Sequence, residues 1–418
     1  MCDSDSGHQN ASAVSFLTPP CFAPHLQAPR FPQVYMYPNL AIPELVEHIL
    51  SYLDPCENRK SLAALARTAR VFHIPAIGRL WQSQTDFLTT LRCLPRDLYR
   101  LDVVGRDHCR GNAQILRLVR PIEASDWERA RLHASHVRKF SYSPTYMGRY
   151  CFSYSSIYAV LAFNFMDGGI FRNLTDLDWT GYDSDFFHIR LFLVPKITRI
   201  TLRCKEQADS VVLSLLPDKC PLLKDVSITF DDGAELSAVA SNNITKFILG
   251  LCCVESLTIH IPNMVSLMHL ARLSTLRYLA VRGLPKALST VDLVPTPNPF
   301  PSLRRLDICE ANMTSAIRLL EMCSNSALES FKVENTSHAW VPFPAIASFL
   351  AELAKSQHSS LACLDLLGVI SDTNITFECL RPALDLVNLV YMKIGFNLGS
   401  DLDDAAIAQM AQAWPRTS

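Results

Sequence analysis

One spacing recurs along most of this chain: apolar residues at i, i+3 and i+5. It appears at Leu174/Leu177/Trp179, Ile197/Ile200/Leu202, Leu223/Val226/Ile228, Val254/Leu257/Ile259 and Leu276/Leu279/Val281. It continues at Leu303/Leu306/Ile308, Leu328/Phe331/Val333, Leu361/Leu364/Leu366 and Leu389/Met392/Ile394. These nine copies start 22 to 33 residues apart, and two weaker ones precede them at Leu98/Leu101/Val103 and Val137/Phe140/Tyr142. Positions i+3 and i+5 alternate like one face of a short strand. Between copies the period becomes helical, as in Met313–Cys323 and Pro344–Lys355.

A strand and a helix repeating every 20–30 residues predict an α/β leucine-rich-repeat solenoid. No single repeat can bury its apolar side, so neighbours stack into one continuous core. About 9–11 repeats over residues 86–400 place a parallel sheet on the concave side of a horseshoe and helices outside it. A doubly wound α/β domain also alternates strands and helices, but nine near-regular copies disfavour it. The position three after the second strand anchor is Tyr182, Lys205, Asp231 or Pro262 rather than asparagine, so no regular asparagine ladder is expected and curvature should be uneven. The insert 285–301, with five prolines, is expected to be a loop. Residues 401–418 read as a helix without a following strand, either a cap or an incomplete repeat. Asp401, Asp403 and Asp404 suit the N-terminal charge of that helix better than a calcium loop, lacking its central Gly and final Glu.

The N-terminal part has a different texture. Residues 1–38 hold six prolines and no lasting period, which predicts a disordered leader. Over 39–85, Leu45, Val46, Ile49, Leu50 and Leu53 form one helical stripe, Leu62, Leu65, Ala66 and Ala69 a second, and Ile74, Ile77, Leu80 and Trp81 a third. Pro43 suits a first helical turn, and Asp54-Pro55 ends that helix. Pro75 is expected near the start of the third helix. Such a small core gains from a partner.

Composition narrows the function classes. Lys+Arg 39 against Asp+Glu 40 argues against a nucleic-acid binder working by global charge. The acidic opening MCDSDSGHQN is unlike a secretory signal, and the longest apolar run, Ile157–Phe165, is about half a membrane span. The 14 cysteines contain no C-x-x-C pair and read as small apolar residues of a reducing compartment. Adjacent Cys252 and Cys253 do not suit one tetrahedral zinc, and their apolar surroundings read as inert core thiols. His133 and His136, three apart in an expected helix, read as surface histidines. No phosphate-cradling, dinucleotide, metalloprotease or nucleophile-elbow motif occurs, so no cofactor, metal or catalytic site is expected.

The stretches IPELVEHILSYLD, SLAALARTARVF and RLW resemble an F-box over about 45 residues, with Ile42 in place of the usual leading Leu, then Pro43, Ile49-Leu50 and Leu53, and a closing Leu80-Trp81. Joined to leucine-rich repeats, the chain is similar to the F-box/leucine-rich-repeat proteins common in fungi. That resemblance implies docking on the Skp adaptor of a cullin-RING (SCF-type) ubiquitin ligase while the repeats hold a protein substrate. It implies that Ile42, Pro43, Leu45, Ile49 and Leu53 pack at the adaptor interface or support it, while Leu50, Leu65 and Leu80 fill the helical core.

With the strand anchors inward, their neighbours form a readable outer row on each strand. Nine strands at about 4.8 Å give roughly 38 Å of surface, enough for an extended peptide or a domain face. Arg and Tyr most often anchor interfaces, which singles out Arg199, Arg203, Tyr278, Arg282, Arg305 and Tyr391. The reading is a non-enzymatic ligase adaptor of the cytoplasm and/or nucleus, monomeric apart from its complex, with no nucleic-acid or membrane partner. A repeat scaffold with no ligase role is the alternative.

Overall fold

The computed structural model describes residues 42–85, 87–104, 113–143, 169–180, 183–204, 207–230, 236–289, 298–309, 313–334, 343–356, 360–367, 376–394 and 403–415. The leader 1–38, the run Ile157–Phe165, residues 290–297 of the proline-rich insert and Asp401 lie outside them. The chain divides into two compact units, Met1–Gln82 and Ser83–Ser418.

The first unit contains α1 (Pro43–Ser51), α2 (Arg59–Thr68) and α3 (Arg70–Trp81). Val46, Leu50, Leu62, Ala66 and Ala76 form its core, with Leu53, Leu65, Ile77 and Leu80 packed around them. Pro43 occupies the first turn of α1, where its missing N–H costs nothing. Asp54 turns the chain after α1, its Oδ1 accepting from the N–H groups of Cys56 at 2.7 Å and Glu57 at 3.0 Å. Arg79 ties α3 to that end: its Nη2 donates to the Ser51 carbonyl at 2.9 Å and its Nε to the Leu53 carbonyl at 3.1 Å. Pro75 lies inside α3 rather than near its start, because the helix begins at Arg70. Ile74, expected in the core stripe, is 71% exposed.

Among the described residues the second unit has thirteen strands. They are β1 (Ser83–Gln84), β2 (Tyr99–Val104), β3 (Ala113–Leu118), β4 (Lys139–Tyr142), β5 (Asp176–Thr180), β6 (Arg199–Cys204) and β7 (Asp225–Phe230). Then come β8 (Ser256–Ile259), β9 (Tyr278–Arg282), β10 (Arg305–Cys309), β11 (Ser330–Glu334), β12 (Cys363–Leu367) and β13 (Tyr391–Ile394). Eleven form one parallel sheet in the order β1, β4 and then β5 to β13, so spatial order follows chain order and the sheet does not close. β2 and β3 pair antiparallel in a separate two-stranded sheet. The weak copy at Leu98/Leu101/Val103 is therefore not a repeat strand. Eight residues separate β2 from β3, too few for the parallel crossover of a dozen or more that a repeat needs. Ser83 and Gln84, expected in the helical unit, form the sheet's first strand instead.

Two ladders hold the sheet. The first is apolar: Phe140, Leu177, Ile200, Val226, Leu257, Leu279, Leu306, Phe331, Leu364 and Met392 stand in register on successive strands, and all but Met392 are fully buried. Each such burial contributes about 1.5–3 kcal/mol. The second is polar and lies just before the strands. The carbonyl of Arg138 accepts from the N–H groups of both Thr175 and Asp176, and that of Thr175 from Thr198 and Arg199. The same two-to-one pattern continues through Thr198, Lys224, Glu255, Arg277, Arg304, Glu329 and Ala362, with every distance between 2.7 and 3.1 Å.

The connectors set the uneven period. Residues 183–191 and 207–215 are 3₁₀ segments, the second running directly into the short helix Leu216–Lys219 before β7. The 22-residue spacing from Val254 to Leu276 holds the eight-residue helix Met264–Ala271, whereas the 33-residue spacing from Leu328 to Leu361 holds the thirteen-residue helix Phe343–Lys355. Helix starts are capped where the sequence permits: Ser237 accepts from the Ala240 N–H, Asn263 from Ser266, and Asp403 from Ala406. At the N-terminal side of the sheet an aromatic cluster fills the core, with Phe140 stacked on Phe192 at 4.9 Å and Tyr142 on Trp179 at 4.3 Å. The C-terminal segment forms a helix over Asp404–Ala413, anchored by Trp414, which is buried and donates from Nε1 to the Ala383 carbonyl. Among the described residues no helix is long and apolar enough to cross a membrane.

Two titrating groups give this unit a defined acid response. His133 and His136 are half-buried rather than at the surface. Burial first, then the charges of Arg129 and His136, lower His133 to about 4. Asp126 is lowered to about 2, chiefly by the Arg120 guanidinium at 2.7 and 2.8 Å and then by the Glu123 N–H. Both folded values lie below their unfolded ones, so the unfolded chain binds protons first and stability falls as the pH falls. The loss at His133 is expected between about pH 6.5 and 4 and that at Asp126 between about pH 4 and 2. Urea titrations of His133→Gln should show a shallower decline in the first window and an unchanged one in the second. An unchanged first window would contradict this assignment.

Candidate functional site

α1 is apolar on two sides. Val46 and Leu50 face the core, and Leu53 follows them half-buried. Ile42, Leu45, Ile49 and Tyr52, spaced three, four and three apart, share another side. Their exposures are 49%, 36%, 43% and 76%. α1 thus packs through one stripe and leaves a second apolar stripe exposed. Tyr52 is held by His48, with its hydroxyl 3.2 Å from Nε2 and the two rings edge to face. The residues expected at the adaptor interface thus separate: Ile42, Pro43, Leu45 and Ile49 are exposed, while Leu53 packs against the core. Sequence reasoning missed Tyr52, although its spacing from Ile49 and Leu45 carried the signal.

In the second unit the sheet's outer face consists of three rows, each running across the strands. The first row reads Lys139, Asp176, Arg199, Asp225, Ser256, Tyr278, Arg305, Ser330, Cys363, Tyr391 in register. Its opening four residues alternate in sign. Arg199 Nε donates to Asp225 Oδ2 at 2.9 Å and its Nη1 to Asp176 Oδ1 at 3.3 Å. In the second row Asp307, Lys332, Asp365 and Lys393 alternate likewise. Lys332 also pairs with Glu334 at 2.8 Å. Between the two alternating stretches lies an uncharged corridor of Thr201, Ser227, Thr258 and Ala280.

This pairing changes the meaning of the six residues singled out as anchors. Arg199 is committed to two carboxylates on neighbouring strands. Tyr278 is half-buried and its hydroxyl donates to Asp307 Oδ2 at 2.8 Å. Burial, then that Asp307 contact, pushes the Tyr278 hydroxyl well above its usual range. Burial also raises the Asp307 carboxyl, against the lowering effect of Tyr278 and Lys332. These two residues hold the sheet face together. Arg203, Arg282 and Arg305 are exposed and make no ion pair among the described residues, and Tyr391 is exposed on the last strand. The alternation was invisible in the sequence because it depends on register between strands about 25 residues apart.

No metal-binding group of three or more His, Cys, Asp or Glu occurs among the described residues. Cys252 and Cys253 are not core thiols: Cys252 is exposed and Cys253 half-buried, because the chain bends between the helix Ala238–Leu249 and β8.

No protein-family model matches the chain. No curated protein matches it either. Among solved structures, the crystal structure of the Rad7 and Elc1 complex in yeast is similar at 13% identity and a TM-score of 0.39, over 91% of this chain and 86% of that one. A likeness of that degree carries no argument about function.

Tyr278→Phe should leave the half-buried Asp307 short of a donor and cost about 1–3 kcal/mol. Arg203→Ala and Arg282→Ala should change stability by less than about 0.5 kcal/mol. Urea melts of the three variants distinguish the groups that hold the face from those available on it. Equal losses would contradict the division.

Proposed function

We propose that this protein is a substrate-recognition adaptor of an SCF-type, cullin-RING ubiquitin ligase. On this reading the three-helix unit is F-box-like and docks on a Skp-type adaptor, and the stacked repeats are a leucine-rich-repeat solenoid that holds a protein substrate. The observation that carries it is the exposed stripe Ile42, Leu45, Ile49 and Tyr52 on a helix whose opposite side is already packed. Covering such side chains contributes about 1.5–3 kcal/mol each before the cost of association, enough to support specific docking. Substrate contact falls to Arg203, Arg282, Arg305 and Tyr391.

The protein contributes no reacting group in this scheme. It raises the effective concentration of substrate beside the transferring enzyme, and the acceleration is one of proximity. It needs neither cofactor nor metal, and it works in the cytoplasm, the nucleus or both.

Binding of the full chain to a purified Skp-type adaptor, measured by calorimetry, tests the reading. The wild type should bind. Leu45→Asp with Ile49→Asp should weaken binding by about a thousandfold, since each removes an anchor worth about 2 kcal/mol or more. Both side chains are exposed, so the variant should melt as the wild type does. A folded wild type that does not bind would overturn the proposal and leave a repeat scaffold without a ligase role.

A further inference from the structure

The turn between the helix Ala238–Leu249 and β8 brings two sulfurs together at the surface. Adjacent residues of an extended strand point to opposite sides. Here the chain bends, and Cys252 Sγ lies 3.8 Å from Cys253 Sγ. The bend is pinned at both ends by Leu251 and Val254, which are buried. Its backbone is pressed onto the preceding repeat: a Cβ at Gly250 would meet the Pro217 ring at 2.5 Å, so only glycine fits there. Cys253 donates to the Pro221 carbonyl at 3.5 Å. The pair is therefore held in place before any ligand arrives.

We propose that Cys252 and Cys253 form a two-thiol capture site for a monosubstituted trivalent arsenical. Three observations select that class. The two sulfurs already lie in contact at 3.8 Å, so a small centre bonded to both needs little movement. A disulfide is disfavoured, since adjacent Cα atoms stand about 3.8 Å apart and bridged cysteines need about 4.4–6.8 Å. Zinc takes four ligands, and no group of three or more ligating side chains is placed to complete a set among the described residues. A monosubstituted trivalent arsenic needs only two sulfurs. In the reaction, two As–S bonds form and the arsenic–oxygen bond and both S–H bonds break. The oxygen leaves as water with the two thiol protons. Arsenic stays trivalent and no oxidant is consumed.

The surroundings favour this pair over the core cysteines. Cys204, Cys220, Cys323 and Cys379 are buried, and burial pushes Cys220 up to about 12. Burial, the neighbouring Cys252 sulfur and the Glu255 carboxylate raise Cys253, with Lys224 acting the other way. Capture should therefore quicken as pH rises above neutral, since the thiolate is the nucleophile. The site lies outside the strand rows and does not rest on the ligase reading.

The test is titration of the reduced full chain with phenylarsine oxide, followed by intact-mass measurement and peptide mapping. One equivalent should map to the peptide containing Cys252 and Cys253 and protect both from iodoacetamide. Cys252→Ser should melt like the wild type, because Cys252 is exposed, and should lose affinity by about a hundredfold or more as the chelate is lost. Cys253→Ser should lose as much. Absence of an adduct, an adduct unchanged in Cys252→Ser, an adduct mapped only to other cysteines, or a pair that only loses two hydrogens to become a disulfide would each overturn the proposal.

Discussion

Nine backbone carbonyls, from Arg138 to Ala362, each accept two N–H groups from the next repeat, and the sheet hangs on that stack. It supplies what an asparagine ladder would otherwise supply, a polar anchor repeated once per strand, using only main-chain groups. Each accepting residue immediately precedes a strand, so the stack fixes where every strand begins. It also fixes register, and register decides which side chains become neighbours. The side chains at the accepting positions are free to vary, which is why Thr, Lys, Glu, Arg and Ala all occur there.

With register fixed, the apolar anchors fall into one ladder and the outer residues into three rows. Charge alternates along two of those rows, and within the face Arg199 pairs with Asp176 and Asp225 and Lys332 with Glu334. Cross-strand pairs of opposite sign stabilise only modestly at an exposed surface. They neutralise part of the face and leave Arg203, Arg282 and Arg305 exposed and without an ion pair among the described residues. The three-helix unit follows a different logic. There the sequence puts apolar residues on two sides of α1, and the core uses only one.

Much of the architecture was legible because it rests on periodicity. The i, i+3, i+5 spacing located β5 to β13, and Pro43 located the start of α1. Periodicity also misled at Leu101 and Val103, where an apolar alternation belongs to a hairpin: the short link to β3 was the discriminating signal. Core and surface were hard to separate within the helical unit. Leu53 and Ile49 lie on one broad apolar arc, and only the packing of α3 decides that one turns inward and the other stays exposed. Arg199 and Tyr278 looked like free anchors because their partners are strangers in sequence, Asp225 and Asp307, brought beside them by the parallel register. Cys252 and Cys253 looked buried because their neighbours Leu251 and Val254 are. The bend that exposes Cys252 and leaves Cys253 half-buried follows the close approach of Gly250 to Pro217.

The proposed function divides the labour, with α1 meeting the ligase adaptor and the repeats left for substrate. Hydrogen exchange of the full chain, with and without a saturating Skp-type adaptor, tests that division. Exchange should slow in peptides covering Ile42–Leu53 and stay unchanged in the strand peptides from Asp176 to Ile394. Slowed exchange across the strands with α1 unaffected would contradict it.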